Sequence, residues 1–150
     1  MSWSAQAAFE RGSFATLLGA RIEDKEGTLS LLAIGDSLAV LAEGNRVRET
    51  FPYTDAQQFG ANPLLLATVF ERNAEIIPGE LSVQWSFREL EAPRLMCMTD
   101  ALGAWLLTDK DERLAFLSRI RTRAEFETFV LHARAQGEMR TDDTSLLVIH

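Results

Sequence analysis

Cysteine and histidine are almost absent. Cys97 is the only cysteine in 150 residues, and His132 and His150 are the only histidines. A disulfide within the chain is therefore excluded, and no Cys/His spacing of a zinc site can be assembled. Cys97 lies between Met96 and Met98 in an apolar run, the usual setting of a small buried hydrophobe. Positive charge is also scarce: 15 Lys and Arg stand against 22 Asp and Glu, a net charge of −7. Such a surface repels a phosphate backbone, so nucleic acid is not an expected partner. Long apolar runs are missing too. Leu29 to Ile34 and Leu146 to Ile149 fall far short of the roughly 18 residues that span a bilayer, so no membrane partner is expected. The start Met1-Ser2-Trp3-Ser4-Ala5-Gln6 has neither the basic end nor the apolar stretch of a secretory signal, and the expected location is cytoplasmic. There is no Gly-rich phosphate loop, HExxH or CxxC, and no Ser or Cys has the neighbours of a nucleophile.

What remains is the composition of an ordered globular chain, 47% hydrophobic and 25% charged, of a length suited to one domain over residues 1–150. Ala5 to Arg11 reads as the end of a helix with Trp3, Ala7 and Ala8 on one face. Phe14 to Ile22, Thr28 to Ile34, Leu38 to Ala42 and Arg46 to Phe51 read as strands joined by short turns, which predicts an antiparallel meander with Arg46 to Phe51 at its edge. From Pro52 to Pro78, Pro and Gly punctuate a long surface connection in which Leu64 to Arg72 could make a short helix. Leu81 to Phe87 alternates apolar and polar residues, and Leu95 to Met98 is the next strand. The period then becomes helical over Ala101 to Leu107, and again from Asp109 through Leu114, Leu117 and Ile120. Thr122 with Glu125 forms a capping-box pattern ahead of Phe126, Phe129, Val130 and Ala133, with a stop near Gly137. The predicted class is α+β: antiparallel sheets layered with helices.

Two acidic motifs border apolar strands. One is Leu95-Met96-Cys97-Met98-Thr99-Asp100-Ala101-Leu102-Gly103. The other is Met139-Arg140-Thr141-Asp142-Asp143-Thr144-Ser145, running into Leu146-Leu147-Val148-Ile149. Carboxylates held at strand rims suit a hard divalent cation, which takes oxygen ligands. The bland alternatives are a helix N-terminal cap for Asp100 and an Asx turn for Asp142 and Asp143. Arg140, two residues before Asp142, could reach a phosphate. Ser13 and Thr16 are expected to be strand hydroxyls hydrogen-bonded in the core.

Gly35-Asp36-Ser37, Thr99-Asp100-Ala101 and Asp142-Asp143-Thr144-Ser145-Leu146-Leu147-Val148, with Gly12-Ser13-Phe14-Ala15-Thr16-Leu17-Leu18 upstream, resemble in order and spacing the motifs of the metal-dependent protein phosphatases, the protein phosphatase 2C family. The resemblance covers residue 12 to the end and implies an antiparallel β-sandwich flanked by helices whose N-terminal strands are missing. It implies a phosphoserine or phosphothreonine phosphatase acting on a phosphoprotein or signalling partner. In the family, water activated by two Mg²⁺ or Mn²⁺ ions attacks the phosphate. Asp100 and Asp142 would be metal ligands, with Asp143 and Asp36 as further candidates and Asp36 more in keeping with a turn. The departures are equally specific. No Asp-Gly dipeptide and no His occurs before residue 50, the family's phosphate-binding arginine lies in the missing region, and Ala101 stands where a glycine is expected. They favour the alternative of a non-catalytic pseudophosphatase or protein-interaction module of the same fold, and an uncovered sheet edge would favour a homo-oligomer.

Overall fold

The computed structural model describes residues 12–60, 63–74, 76 and 79–150. The predicted helix at Ala5 to Arg11 lies outside the described residues.

Strand β1 (Phe14–Ala15) is followed at once by β2 (Leu17–Glu23), then β3 (Thr28–Ile34), β4 (Leu38–Glu43) and β5 (Arg46–Phe51). Later come β6 (Leu66–Ala67), β7 (Ser82–Ser86), β8 (Pro93–Met98) and β9 (Leu146–Ile149). Helices α1 (Asp100–Thr108), α2 (Lys110–Leu117) and α3 (Arg123–Ala135) lie between β8 and β9. One sheet has the order β2-β3-β7, a second β5-β4-β8-β9, and β1 pairs with β6 apart from both. All pairs are antiparallel.

The two larger sheets pack face to face, and the helices cover the second. This layering explains why β4 buries Leu38 through Ala42. Its alternate side chains point to opposite faces. Ala39 and Leu41 meet Leu29, Leu31, Trp85 and Leu95 between the sheets. Leu38, Val40 and Ala42 meet Met96, Leu102, Leu106 and Val130 on the helical side. On the outer sheet, β7 turns Ser82, Gln84 and Ser86 to the exposed face and Trp85 inward.

The meander is real only in part. β3 and β4 are consecutive, yet they belong to different sheets, so Gly35-Asp36-Ser37 carries the chain across the sandwich. Gly35 adopts φ +109°, and a Cβ there would lie 2.7 Å from Thr16 Cβ. Only glycine fits that crossing. The predicted strand from Phe14 to Ile22 is interrupted at Thr16, and its two parts join different sheets. Ser13 and Thr16 are exposed rather than packed in the core. The helix expected over Leu64 to Arg72 does not form. Asn73 accepts from the Ala67 N–H at 2.8 Å and donates to the Ala67 carbonyl at 3.0 Å, which holds β6 extended and leaves one 3-10 turn over Phe70–Asn73.

The helical half follows its local signals. Thr122 Oγ1 accepts from the Glu125 N–H, and the Glu125 carboxylate accepts from the N–H groups of Arg121 and Thr122, closing the capping box. Those backbone donors hold the Glu125 carboxyl below its ordinary pKa. At the other end Gly137 takes φ +73°, with Gly137 N–H on the Arg134 carbonyl and Glu138 N–H on the Ala133 carbonyl. This is a Schellman stop. It directs Met139, 5% exposed, back into the helix-side core and fixes where residue 140 emerges.

Candidate functional site

Three turns meet at one end of the second sheet: the crossing at residues 35–37 before β4, the β8–α1 junction, and the segment before β9. β4 and β8 are in register with Leu38 opposite Met98, and Met98 is opposite Leu146 on β9. The three candidate segments are therefore neighbours.

Thr99 stitches two of them together. Its N–H donates to the Ser145 carbonyl at 3.3 Å, its hydroxyl donates to the Asp143 carbonyl at 3.0 Å, and the Thr99 hydroxyl oxygen in turn accepts from the Ser145 N–H at 3.0 Å. On the far side of the loop, Arg134 of α3 donates to the Asp142 carbonyl and, at 2.8 Å, to Thr144 Oγ1. Residues 142–145 are thus pinned from both flanks.

Asp100 occupies the first turn of α1, with Thr99 as the cap residue. Its Oδ1 accepts from the Ala101 N–H at 2.7 Å, and its Oδ2 accepts from Arg140 Nη2 at 2.6 Å. The Asp100 side chain is 17% exposed and that of Arg140 49%. A carboxylate at a helix N-terminus is also favoured by the helix dipole. Ala101, where a glycine was expected, is helical and 1% exposed, with no positive φ to strain it.

Asp142 and Asp143 are exposed, and Asp142 Oδ1 accepts from the Asp143 N–H at 2.7 Å. Asp36 is half-buried, and its carboxyl lies above the ordinary carboxylate range. Burial is the largest cause; the charge of Asp100, and more weakly that of Asp142, adds to it, while a backbone hydrogen bond and Arg140 oppose it. The four charged groups therefore share one field.

Tyr53 completes the rim. Its hydroxyl donates to the Gly35 carbonyl at 3.4 Å, and its ring lies 4.6 Å from Phe59. Burial, then the Asp36 charge, pushes the Tyr53 phenol up. Sequence reading named Thr99 only within its motif and did not single out Tyr53 or Arg134, since nothing local marks a tyrosine in a Pro-rich connection as a neighbour of a turn 17 residues earlier. His132 and His150 are exposed, and His150 follows the end of β9 opposite to these turns.

Comparison with known structures decides the architecture. The photosystem II phosphatase PBCP superposes with a TM-score of 0.57 over 90% of this chain and 63% of that chain, at 14% identity. This chain has the protein phosphatase 2C-like fold. The phosphatase domain of the cell fate determinant SpoIIE from Bacillus subtilis superposes with a TM-score of 0.49, at 16% identity, over 91% of this chain and 55% of that domain. The chain thus spans less than two thirds of the phosphatase chains it resembles. No protein-family profile matches it, and no curated protein matches it in sequence.

In this phosphatase-like fold the expected cofactors are Mg²⁺ or Mn²⁺. The described residues do not fit a two-metal centre. Both oxygens of Asp100 are engaged, one by the helix backbone and one by a guanidinium. Among the described residues no group of three or more His, Cys, Asp or Glu side chains is arranged to hold an ion.

Proposed function

We propose that this chain is a phosphatase-fold interaction module, in which Arg140 supplies internally the positive charge that Mg²⁺ or Mn²⁺ supplies in an active protein phosphatase 2C. One observation carries the reading: Arg140 Nη2 lies 2.6 Å from Asp100 Oδ2 while the other Asp100 oxygen caps α1. A cation competing for Asp100 must displace a charge-assisted hydrogen bond on a mostly buried carboxylate. The partner proposed is a phosphoprotein or signalling protein, bound without hydrolysis.

A second reading is a metal-dependent phosphoserine or phosphothreonine phosphatase. The gathering of Asp36, Asp100 and Asp142 within one electrostatic field favours it. Further carboxylates would be needed beside these three, because two-metal catalysis clamps both the attacking and the leaving oxygen.

Hydrolysis of p-nitrophenyl phosphate with Mn²⁺, together with calorimetric titration of Mn²⁺, separates the two. An interaction module gives background turnover and no Mn²⁺ binding that depends on Asp100. Turnover that requires Mn²⁺ and disappears in Asp100→Asn establishes the phosphatase and removes the module.

A further inference from the structure

The two large sheets part at the end away from the three turns. β2 sets Ile22 opposite Leu29 of β3, and the second sheet sets Leu41 of β4 and Ile149 of β9 on either side of Leu95 of β8. Leu29, Leu41 and Leu95 belong to the apolar layer between the sheets, and Ile149 packs against them. Ile22 is 40% exposed and lines, with these four, a cavity of about 260 Å³ that no side chain of the described residues fills. Phe87 and Pro93 complete its apolar wall. Phe87 is fixed there by its N–H, which donates to the Gly27 carbonyl at 2.9 Å.

An apolar interior thus opens to a polar mouth. Seven of the nine lining residues are hydrocarbon or aromatic, and only Asp24 and His150 are polar. Protein interiors pack as densely as organic crystals, and a void of this size forfeits dispersion contacts that an apolar guest restores. An apolar cavity of about 150 Å³ takes up benzene, so this one has room for a six-membered ring and a short side chain. Charge decides what the side chain carries. Residues 24–27 and 88–92, the loops at this end, hold Asp24, Glu26, Glu89 and Glu91 against Lys25 and Arg88, and the Arg88 guanidinium is engaged by the Glu26 carbonyl at 2.8 Å. A negative mouth on a chain of net charge −7 attracts a cation and repels a carboxylate or a phosphate.

We propose that this cavity binds a small aralkyl amine, with the ring between the sheets and the protonated amine at the mouth beside Asp24. The site is separate from the three turns and stands whichever reading of those turns holds. Apolar burial supplies most of the affinity. The exposed Asp24 carboxylate selects the sign of the head group and adds little more, because an ion pair open to solvent is weak.

NMR titration of the isotope-labelled whole chain with phenethylamine tests this. Saturable shifts are expected at Ile22, Leu29, Leu41, Leu95 and Ile149, with a Kd on the order of 1 mM for so small a ligand. Phenylpropanoate, of similar size and opposite charge, should bind at least about tenfold more weakly. Asp24→Asn should weaken the amine about threefold, and added salt should act in the same direction. Ile22→Phe and Ile149→Phe fill the cavity from its two walls, at positions that are not fully buried, and each should abolish the shifts while a cooperative melting transition confirms the fold. No saturable shift up to about 10 mM amine, which is about tenfold above the expected Kd, overturns the inference. So do shifts confined to residues 35–37, 99–100 and 142–145, equal binding of amine and carboxylate, or binding that survives both phenylalanine variants.

Discussion

Replacing Arg140 by alanine tests the central contact of the candidate site. The guanidinium is half-exposed and its partner carboxylate mostly buried, with an N–O distance of 2.6 Å. A hydrogen bond to a charged group contributes about 1.5–3 kcal/mol, and the solvent around Arg140 places this one at the low end. The loss is more than the bond. Asp100 keeps its Ala101 N–H but loses its counter-charge, and the negative charges of Asp36, Asp100 and Asp142 then act on one another with less compensation. The expected destabilisation is about 2 kcal/mol, which for a domain of this size lowers Tm by roughly 4–8 °C. Urea denaturation at neutral pH and low salt measures it, and added salt should reduce the loss, since screened carboxylates repel less. Combining Arg140→Ala with Asp100→Asn gives a cycle in which the coupling should be at least about 1 kcal/mol. Strict additivity of the two substitutions, or a loss below about 0.5 kcal/mol for Arg140→Ala, refutes the idea that Arg140 neutralises Asp100.

Two further outcomes follow from neighbouring groups. The Asp36 carboxyl is raised above its ordinary 3.8, so the folded chain holds that proton more tightly than the unfolded chain and loses stability as pH rises from 3.8 through the folded value. Asp36→Asn should therefore be more stable than the parent at neutral pH, the advantage vanishing below the unfolded pKa; urea midpoints that differ equally at pH values above and below it sink the argument. Gly103→Ala should gain about 1 kcal/mol of helix propensity yet lose more, because the new Cβ would lie 2.9 Å from Phe59 Cζ and 3.0 Å from Leu38 Cβ. Phe59 can swing away, but Leu38 is fully buried on β4, so overpacking of about 1–3 kcal/mol wins and Tm falls; a rise in Tm contradicts this.

Sequence alone determined the pieces whose signals are local. β3 and β8 fall on apolar runs and β7 on an apolar alternation, and α3 begins at its capping box and stops at Gly137, because periodicity and capping act within a turn or a few residues. The order of the acidic motifs was enough to name the fold that superposition shows. Tertiary structure decided what depends on distant partners. That Gly35-Asp36-Ser37 crosses between sheets depends on which strand each neighbour pairs with, and local alternation is identical for either sheet. That Leu66–Ala67 is extended depends on Asn73 closing two hydrogen bonds onto Ala67. That the charge facing Asp100 is Arg140 depends on a contact 40 residues apart, set by the Met139 anchor and the packing of α3, and long-range electrostatics leave no period in a sequence.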